Sequence, residues 1–337
     1  MSKPSKTEIQ TVTGRIDADE LGRTLAHEHM LIGWPGWQSD TLRRGPTRDE
    51  ALAICVDRVE EMKAHGVRSM VDPCPNDLGR DVELMAEVSA RTGLQVICAT
   101  GLYKEDQGGA AYWKFRSEFG AAVETIAEMY IRELTEGIGD TGVRAGIIKV
   151  ATGSPTITEY EKLLMHAAAL ASNDTGAPIT THTDKGLCGD EQQKLLVNLG
   201  VPPHRIIIGH SCGSADFQYH TRILEGGSYI GFDRFGIEVL RPDEERIASL
   251  LLLLEADRAS QIVVSHDSVW CWQGQPIPEP ELVAPMLDVW NPTHFFERII
   301  PRLLEGGATQ EQITMMLEEN PRRFFAGESL PAEPAAA

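Results

Sequence analysis

Residues 145–182 read AGIIKVATGSPTITEYEKLLMHAAALASNDTGAPITTH. A short apolar run, Ala145–Val150, gives way to a long helical stretch, Glu159–Thr175, and the chain returns to a second apolar run, Ile179–His182. The same alternation extends in both directions. It predicts eight strands: Leu25–Leu31, Ser69–Pro73, Val96–Leu102, Ala145–Val150, Ile179–His182, Ile206–His210, Tyr229–Phe232 and Ile262–Asp267. Helical patterns lie between them, at Thr47–His65, Asp81–Thr92, Glu118–Gly137, Glu159–Thr175, Asp190–Leu199, Ala215–Gly226 and Asp243–Ala256. In the first of these Leu52, Val56, Val59 and Met62 fall at helical spacing, and Gly66 stops the helix. Parallel strands joined by helices need cover on both faces, and eight such units close into an α/β (β/α)8 TIM barrel. An open doubly wound sheet would call for a glycine-rich phosphate turn after an early strand, and neither GxGxxG nor GxxxxGK[ST] occurs.

The chain has 337 residues, 42% of them hydrophobic and 24% charged, which is globular composition. No linker or internal repeat divides it. A single barrel domain over residues 1–329 is expected, with a short hairpin at about residues 9–21 across its bottom. The Pro- and Ala-rich residues 330–337 are expected to form a flexible tail. Lys and Arg number 31 against 50 Asp and Glu, a net charge of −19. Such a surface repels phosphate backbones and anionic lipid, so nucleic acid and membrane are excluded as partners and a small neutral substrate fits better. The six cysteines form no CxxC and no dense framework, which points to reduced thiols in a cytoplasmic protein. The opening residues have no apolar core of the signal-peptide kind, and the leucine run at 250–254 is too short to span a bilayer.

In a barrel of this kind, active sites form where strands end at the C-terminal face. The first predicted strand reads Thr24-Leu25-Ala26-His27-Glu28-His29. Side chains at i and i+2 share a face, so His27 and His29 project together while Glu28 points away. The fourth strand carries Lys149 inside an apolar run, where an ammonium is costly to desolvate. The fifth ends at His182, the sixth at His210 and the eighth at Asp267. Each residue alone has an ordinary structural explanation. Six of them at the ends of five strands do not. Histidine and carboxylate ligands suit zinc, iron, manganese or cobalt rather than calcium. A protonated lysine cannot bind metal, but CO₂ added to Lys149 gives a carbamate whose two oxygens can bridge two cations. A two-metal site polarises a substrate oxygen and supplies hydroxide, with Asp267 as ligand and proton acceptor.

With these residues in place the sequence resembles the amidohydrolase superfamily, and within it the phosphotriesterase family, most closely the phosphotriesterase-like lactonases. The resemblance rests on the HxH run at 24–29, Met70-Val71-Asp72-Pro73, Leu78-Gly79-Arg80-Asp81, the strand around Lys149, and Thr180-Thr181-His182-Thr183. Gly189-Asp190-Glu191-Gln192-Gln193, Ile208-Gly209-His210-Ser211, Ser265-His266-Asp267 and Glu319-Asn320-Pro321 extend it over roughly residues 8–327. By resemblance His27, His29 and Asp267 hold one divalent ion, His182 and His210 the other, and carboxylated Lys149 bridges them. Zinc is the foremost metal, and a homodimer is implied. Tyr103, in Thr100-Gly101-Leu102-Tyr103, and Arg234, in Gly231-Phe232-Asp233-Arg234-Phe235-Gly236, are similar to lactonase positions near the metals. A phenol there can hydrogen-bond a leaving ring oxygen, and an arginine can stabilise negative charge.

The resemblance thus implies a lactonase, acting for instance on N-acyl homoserine lactones, with organophosphate triester hydrolysis as a side reaction. A dedicated phosphotriesterase or carboxylic-ester hydrolase is the alternative. A purely structural metal cage has no need of a proton acceptor, and a mononuclear deaminase has no need of a bridging lysine. Three departures from the family pattern stand out. Gly213 replaces an acid that the family commonly places after the sixth-strand histidine. The segment Lys104–Phe119 is long for a lactonase. The segment from Ser268 to Trp290, with Trp270, Trp272, Pro276, Pro278, Pro280 and Met286, is expected to be a loop serving as lid and acyl-chain pocket. His266 alternates with Asp267 and should face away from the site.

Overall fold

The computed structural model describes residues 7–277 and 280–331. Its strands are β1 (Glu8–Thr11), β2 (Gly14–Asp17), β3 (Arg23–Leu25), β4 (His29–Ile32), β5 (Val67–Asp72), β6 (Gln95–Gly101), β7 (Ile147–Lys149), β8 (Ile179–Thr180), β9 (Ile206–Ile208), β10 (Tyr229–Phe232), β11 (Ile262–Val264) and β12 (Val269–Trp272). Eight of them, β3 and β5 to β11, form one parallel sheet in sequence order. Its first and last strands are joined by hydrogen bonds from the Ala26 N–H to the Val264 carbonyl (3.3 Å) and from the Asp267 N–H to the His27 carbonyl (2.9 Å). The sheet is therefore a (β/α)8 barrel. β1 and β2 pair antiparallel as a hairpin, tied to the barrel by the Val12 N–H on the Val96 carbonyl.

Helices α1 (Arg48–Ala64), α2 (Val82–Thr92), α3 (Ala110–Ser117), α4 (Ala122–Thr135), α5 (Glu159–Thr175), α6 (Gly189–Asn198), α7 (Phe217–Glu225) and α8 (Asp243–Glu255) follow the strands. α1 and α5 begin with reciprocal caps, Thr47 with Glu50 and Thr158 with Glu161, which satisfy backbone N–H groups at the helix start. Alternation along the strands divides the apolar residues into two cores. Ala26, Val71, Ile97, Ala99, Ile147, Ile207, Tyr229 and Val263 pack together inside the barrel with Ile9, Leu21 and Phe324. The opposite faces, among them Met70, Val96, Cys98, Ile148, Ile208, Ile230 and Val264, pack beneath the helices.

The structure corrects three expectations. The predicted first strand, Leu25–Leu31, is two strands: β3 lies in the barrel, whereas β4 pairs in parallel with β12, Val269 opposite His29. Between the two strands the backbone bends at Ala26 and His27, and Glu28 turns its side chain behind the end of β11. The helix predicted at Glu118–Gly137 is α4 alone and starts only at Ala122, after Gly120, whose φ of +81° is left-handed; α3 lies ahead of it, within Lys104–Phe119. The expected lid between Ser268 and Trp290 is not a plain loop but holds β12 and a helix at Pro280–Val289; Pro278 lies outside the described residues. Of the expected tail, Leu330 packs against the inner core, and residues 332–337 lie outside the described residues. All six cysteines are free and buried. Among the described residues no helix is long and apolar enough to cross a membrane.

Glu28 fixes the seam of the barrel. Its carboxylate is wholly buried. It accepts the Ser265 hydroxyl (2.7 Å), the His266 N–H (3.0 Å), the His266 ring Nδ1–H (2.6 Å), the Ser268 N–H (3.2 Å) and the Ser268 hydroxyl. Removing an acceptor that serves several buried donors exposes each to a desolvation penalty of about 1–3 kcal/mol. Glu28→Ala should therefore lose more than about 3 kcal/mol of stability in urea denaturation. A loss below about 1 kcal/mol would show that these donors find other partners.

Candidate metal centre

The barrel's own alternation delivers Lys149 to the site. Ile147 points inward, so Lys149, two residues on, occupies the same face at the C-terminal end of β7 and is 2% exposed. The remaining groups lie just beyond strand ends. His27 follows β3 by two residues, His29 opens β4, His182 and His210 follow β8 and β9 by two, and Asp267 follows β11 by three. His210 and Asp267 adopt left-handed backbone, φ +58° and +53°. Residues other than glycine seldom do so, and such strain concentrates at functional sites. Glycines make room below. A Cβ on Gly101 would stand 1.9 Å from the Lys149 carbonyl, and one on Gly209 would stand 2.1 Å from that of Thr181.

The six predicted residues converge. Asp267 Oδ1 is 3.3 Å from His27 Nε2 and 3.2 Å from His29 Nε2, and its Oδ2 is 3.7 Å from His210 Nε2. Lys149 Nζ is 3.3 Å from His27 Nε2. The rings of His27 and His210 are 4.7 Å apart and those of His182 and His210 4.6 Å. Ligand atoms of His27, His210 and Asp267 lie close enough together to hold one ion. The continuous strand that was expected to aim His27 and His29 is absent, yet both imidazoles present Nε2 to Asp267.

Each histidine turns its other nitrogen to a carboxylate. His29 Nδ1 is 3.3 Å from Asp72, His182 Nε2 is 2.7 Å from Asp184, and His210 Nδ1 and His27 Nδ1 are 3.0 and 3.4 Å from the two oxygens of Asp233. Metal-binding histidines are oriented in this way. Burial holds His27 and His210 below the usual imidazole range, helped at His27 by Lys149 and at His210 by Arg234. Burial also lowers His182, to about 3, against the opposing pull of Asp184. These three rings are neutral, the form that binds metal. At His29 burial is outweighed by the neighbouring Asp267 and Asp72 carboxylates, and the ring is raised well above that range. Burial lowers Lys149 to about 8 against the pull of Asp267 and Asp233. Buried imidazole nitrogens and an acid facing one another across a polar cavity fit divalent ions.

Two of the predicted residues close the site. The Tyr103 hydroxyl is 3.2 Å from His182 Nδ1, and burial raises its phenol far enough to keep the proton. Arg234 Nε donates to Asp267 Oδ2 at 2.8 Å. Burial pushes Asp267 up, but the Arg234 guanidinium and His29 outweigh it and hold the carboxyl well below its ordinary range. His266 faces away, as expected, between Glu28 and the Phe295 N–H.

Reasoning from sequence assigned no role to Asp72, Asp184, Asp233 or Trp290, and none beyond orientation to Glu28. Trp290 Nε1–H donates to the carbonyls of His266 and Asp267, both at 3.1 Å, and clamps the turn that carries the acid. The signal for the acids was present: Asp72 ends β5, Asp233 follows β10, and Asp184 is two residues beyond His182. Inspecting every strand end for acids as well as for ligands would have found them. For Trp290, some 23 residues beyond Asp267, no comparable signal exists.

A sequence profile of the phosphotriesterase family matches residues 7–325. A Mycobacterium tuberculosis protein called phosphotriesterase homology protein is 37% identical over 94% of this chain and 97% of its own. An aryldialkylphosphatase of Saccharolobus solfataricus is 32% identical over 92% of this chain and 97% of its own. The solved structure of an organophosphorus hydrolase from Deinococcus radiodurans superposes with a TM-score of 0.92 at 43% identity, over 96% of this chain and 98% of that one. A mutant PTE-like lactonase from the same organism gives 0.91 at 43% identity, over 94% and 99%. The chain belongs to the phosphotriesterase family.

Proposed function

We propose that this protein is a binuclear metal-dependent lactonase, opening lactones such as N-acyl homoserine lactones, with organophosphate triester hydrolysis as a side reaction. Family membership already makes it an ester-hydrolysing enzyme. The observation that carries the finer reading is the Tyr103 hydroxyl set against the cavity-side nitrogen of His182. In this reading His27, His29 and Asp267 would hold one ion and His182 and His210 the other, with Lys149, as a carbamate, a ligand shared by both, zinc being the foremost metal. When bound, two such ions supply Lewis-acid polarisation of the substrate oxygen and a hydroxide nucleophile at neutral pH. The lowered Lys149 amine supports the carbamate, because only the neutral amine adds CO₂ and a value of about 8 leaves an appreciable neutral fraction near neutrality.

Tyr103, kept protonated by burial, donates its O–H to the leaving ring oxygen once His182 Nδ1 is committed to a ligand role. Asp267 takes the proton of the attacking nucleophile. Its close neighbour Arg234 has no acceptor atom and cannot carry that proton further. With Gly213 offering no acid either, the side chain's 13% exposure gives the proton a route to solvent. Arg234 instead holds the carboxylate in place. A cavity of about 540 Å³ lies along the segment following Asp267, lined by Ile54, Trp270, Trp272, Ile277 and Leu287 together with Arg43 and Arg44, and this reading assigns the acyl chain to it. A dedicated phosphotriesterase remains the second reading, favoured by the 43% identity to a protein named organophosphorus hydrolase.

Asp267→Asn should keep the fold and lower kcat by at least about a hundredfold, the usual minimum for losing an acid–base group. Wild-type kcat in a variant with both metals bound would remove Asp267 from the reaction. On the purified metal-replete enzyme, kcat/KM should be larger for a homoserine lactone or a simple γ- or δ-lactone than for paraoxon. Tyr103→Phe should impair lactone opening more than triester cleavage, because an aryloxide leaves with little assistance. A native preference for paraoxon would favour the second reading over the first.

A further inference from the structure

Lys104 is a cation that the reaction described above does not use. It is 4% exposed, although desolvating an ammonium is costly and a buried ion pair often adds little stability. Its Nζ donates to Asp184 Oδ2 at 2.8 Å and stands 3.4 Å from the far more exposed Asp106. The other oxygen of Asp184, Oδ1, is 2.7 Å from His182 Nε2. The carboxylate thus spans the lysine and the imidazole, one oxygen to each. The residue before Lys104 is Tyr103, whose hydroxyl meets the opposite nitrogen of the same ring at 3.2 Å. Consecutive residues leaving β6 therefore grip both edges of His182, one directly and one through Asp184.

Asp184 needs such a partner. Its side chain is 26% exposed, so without Lys104 one oxygen would be open to water and the carboxylate free to turn away from the imidazole. We propose that Lys104 is a positioning residue, which locks Asp184 onto His182 Nε2 and thereby keeps His182 Nδ1 aimed at the metal cavity. The segment Lys104–Phe119 is in this way coupled to metal retention, not only to the shape of the mouth.

The inference rests on the proposed ligand role of His182, and the test separates the two. Zinc affinity of the full-length protein is measured by competition with a chromophoric chelator for wild type, Lys104→Met, Lys104→Arg, Asp184→Asn, the Lys104→Met/Asp184→Asn double variant and His182→Ala. Outer-shell partners of ligating histidines are worth about 10- to 100-fold in metal affinity. Lys104→Met should weaken the more labile zinc by about that factor, and Lys104→Arg should restore most of it. The double variant should be no weaker than Asp184→Asn alone, because Lys104 acts through Asp184. If Lys104→Met does not yield folded protein, Lys104→Gln is measured in its place with the same expected direction. Wild-type zinc affinity in the folded lysine variant, or additive losses in the double variant, would overturn the proposal. Two zinc ions retained by His182→Ala would overturn instead the ligand role on which it rests.

Discussion

The buried carboxylate of Glu28 is the constraint on which the rest of this structure depends. A parallel barrel must close its last strand against its first, and here the closure has to be made where the candidate ligands sit. Glu28 lies between His27 and His29 in sequence and accepts hydrogen bonds from Ser265, His266 and Ser268, the residues that flank Asp267. One side chain thus ties the HxH run to the acid-bearing turn. Asp267, whose neighbours are pinned, adopts a left-handed backbone that it would not hold unaided, and its carboxylate faces both imidazoles. Trp290 completes the clamp from the far side by bonding the turn's carbonyls.

Around that seam the site is built in two layers. The inner layer is the set of nitrogens and oxygens that face one another across the cavity. The outer layer consists of Asp72, Asp184 and Asp233, which occupy the opposite nitrogens of the four histidines. Asp233 touches one histidine from each proposed ligand set and so couples the two halves. This arrangement fixes ring orientation, and at three of the four histidines burial keeps the imidazole neutral. It also explains why an acidic protein concentrates so many carboxylates at one end of a barrel: they orient ligands and balance cations rather than attract substrate.

Much of this was legible in the sequence, for reasons that can be named. The alternation of apolar strands with helical stretches is a property of every βα unit, so the eight-fold repeat and the barrel could be read directly. Lys149 was legible because a lysine two residues past an inward isoleucine has few places to go. Local breaks were less legible. The predicted strand Leu25–Leu31 has an apolar and alternating pattern throughout, and what splits it is Glu28 bonding to residues more than 230 positions away. The helix predicted from Glu118 starts only at Ala122, because the chain turns at Gly120 after the aromatic segment has formed a helix of its own. The grip of Tyr103 and Lys104 on His182 depends on the packing of the segment after β6 against the turn after β8, and sequence spacing alone does not encode it.

The central claim is that Lys149 serves as a bridging anion between two divalent ions rather than as a buried amine. Native mass spectrometry of the purified, metal-replete protein tests this most directly. The account predicts a chain carrying two divalent ions and one added carbon dioxide, with the carbon dioxide lost when the metals are chelated and absent from Lys149→Met. An active chain that carries two ions and an unmodified Lys149 would contradict it.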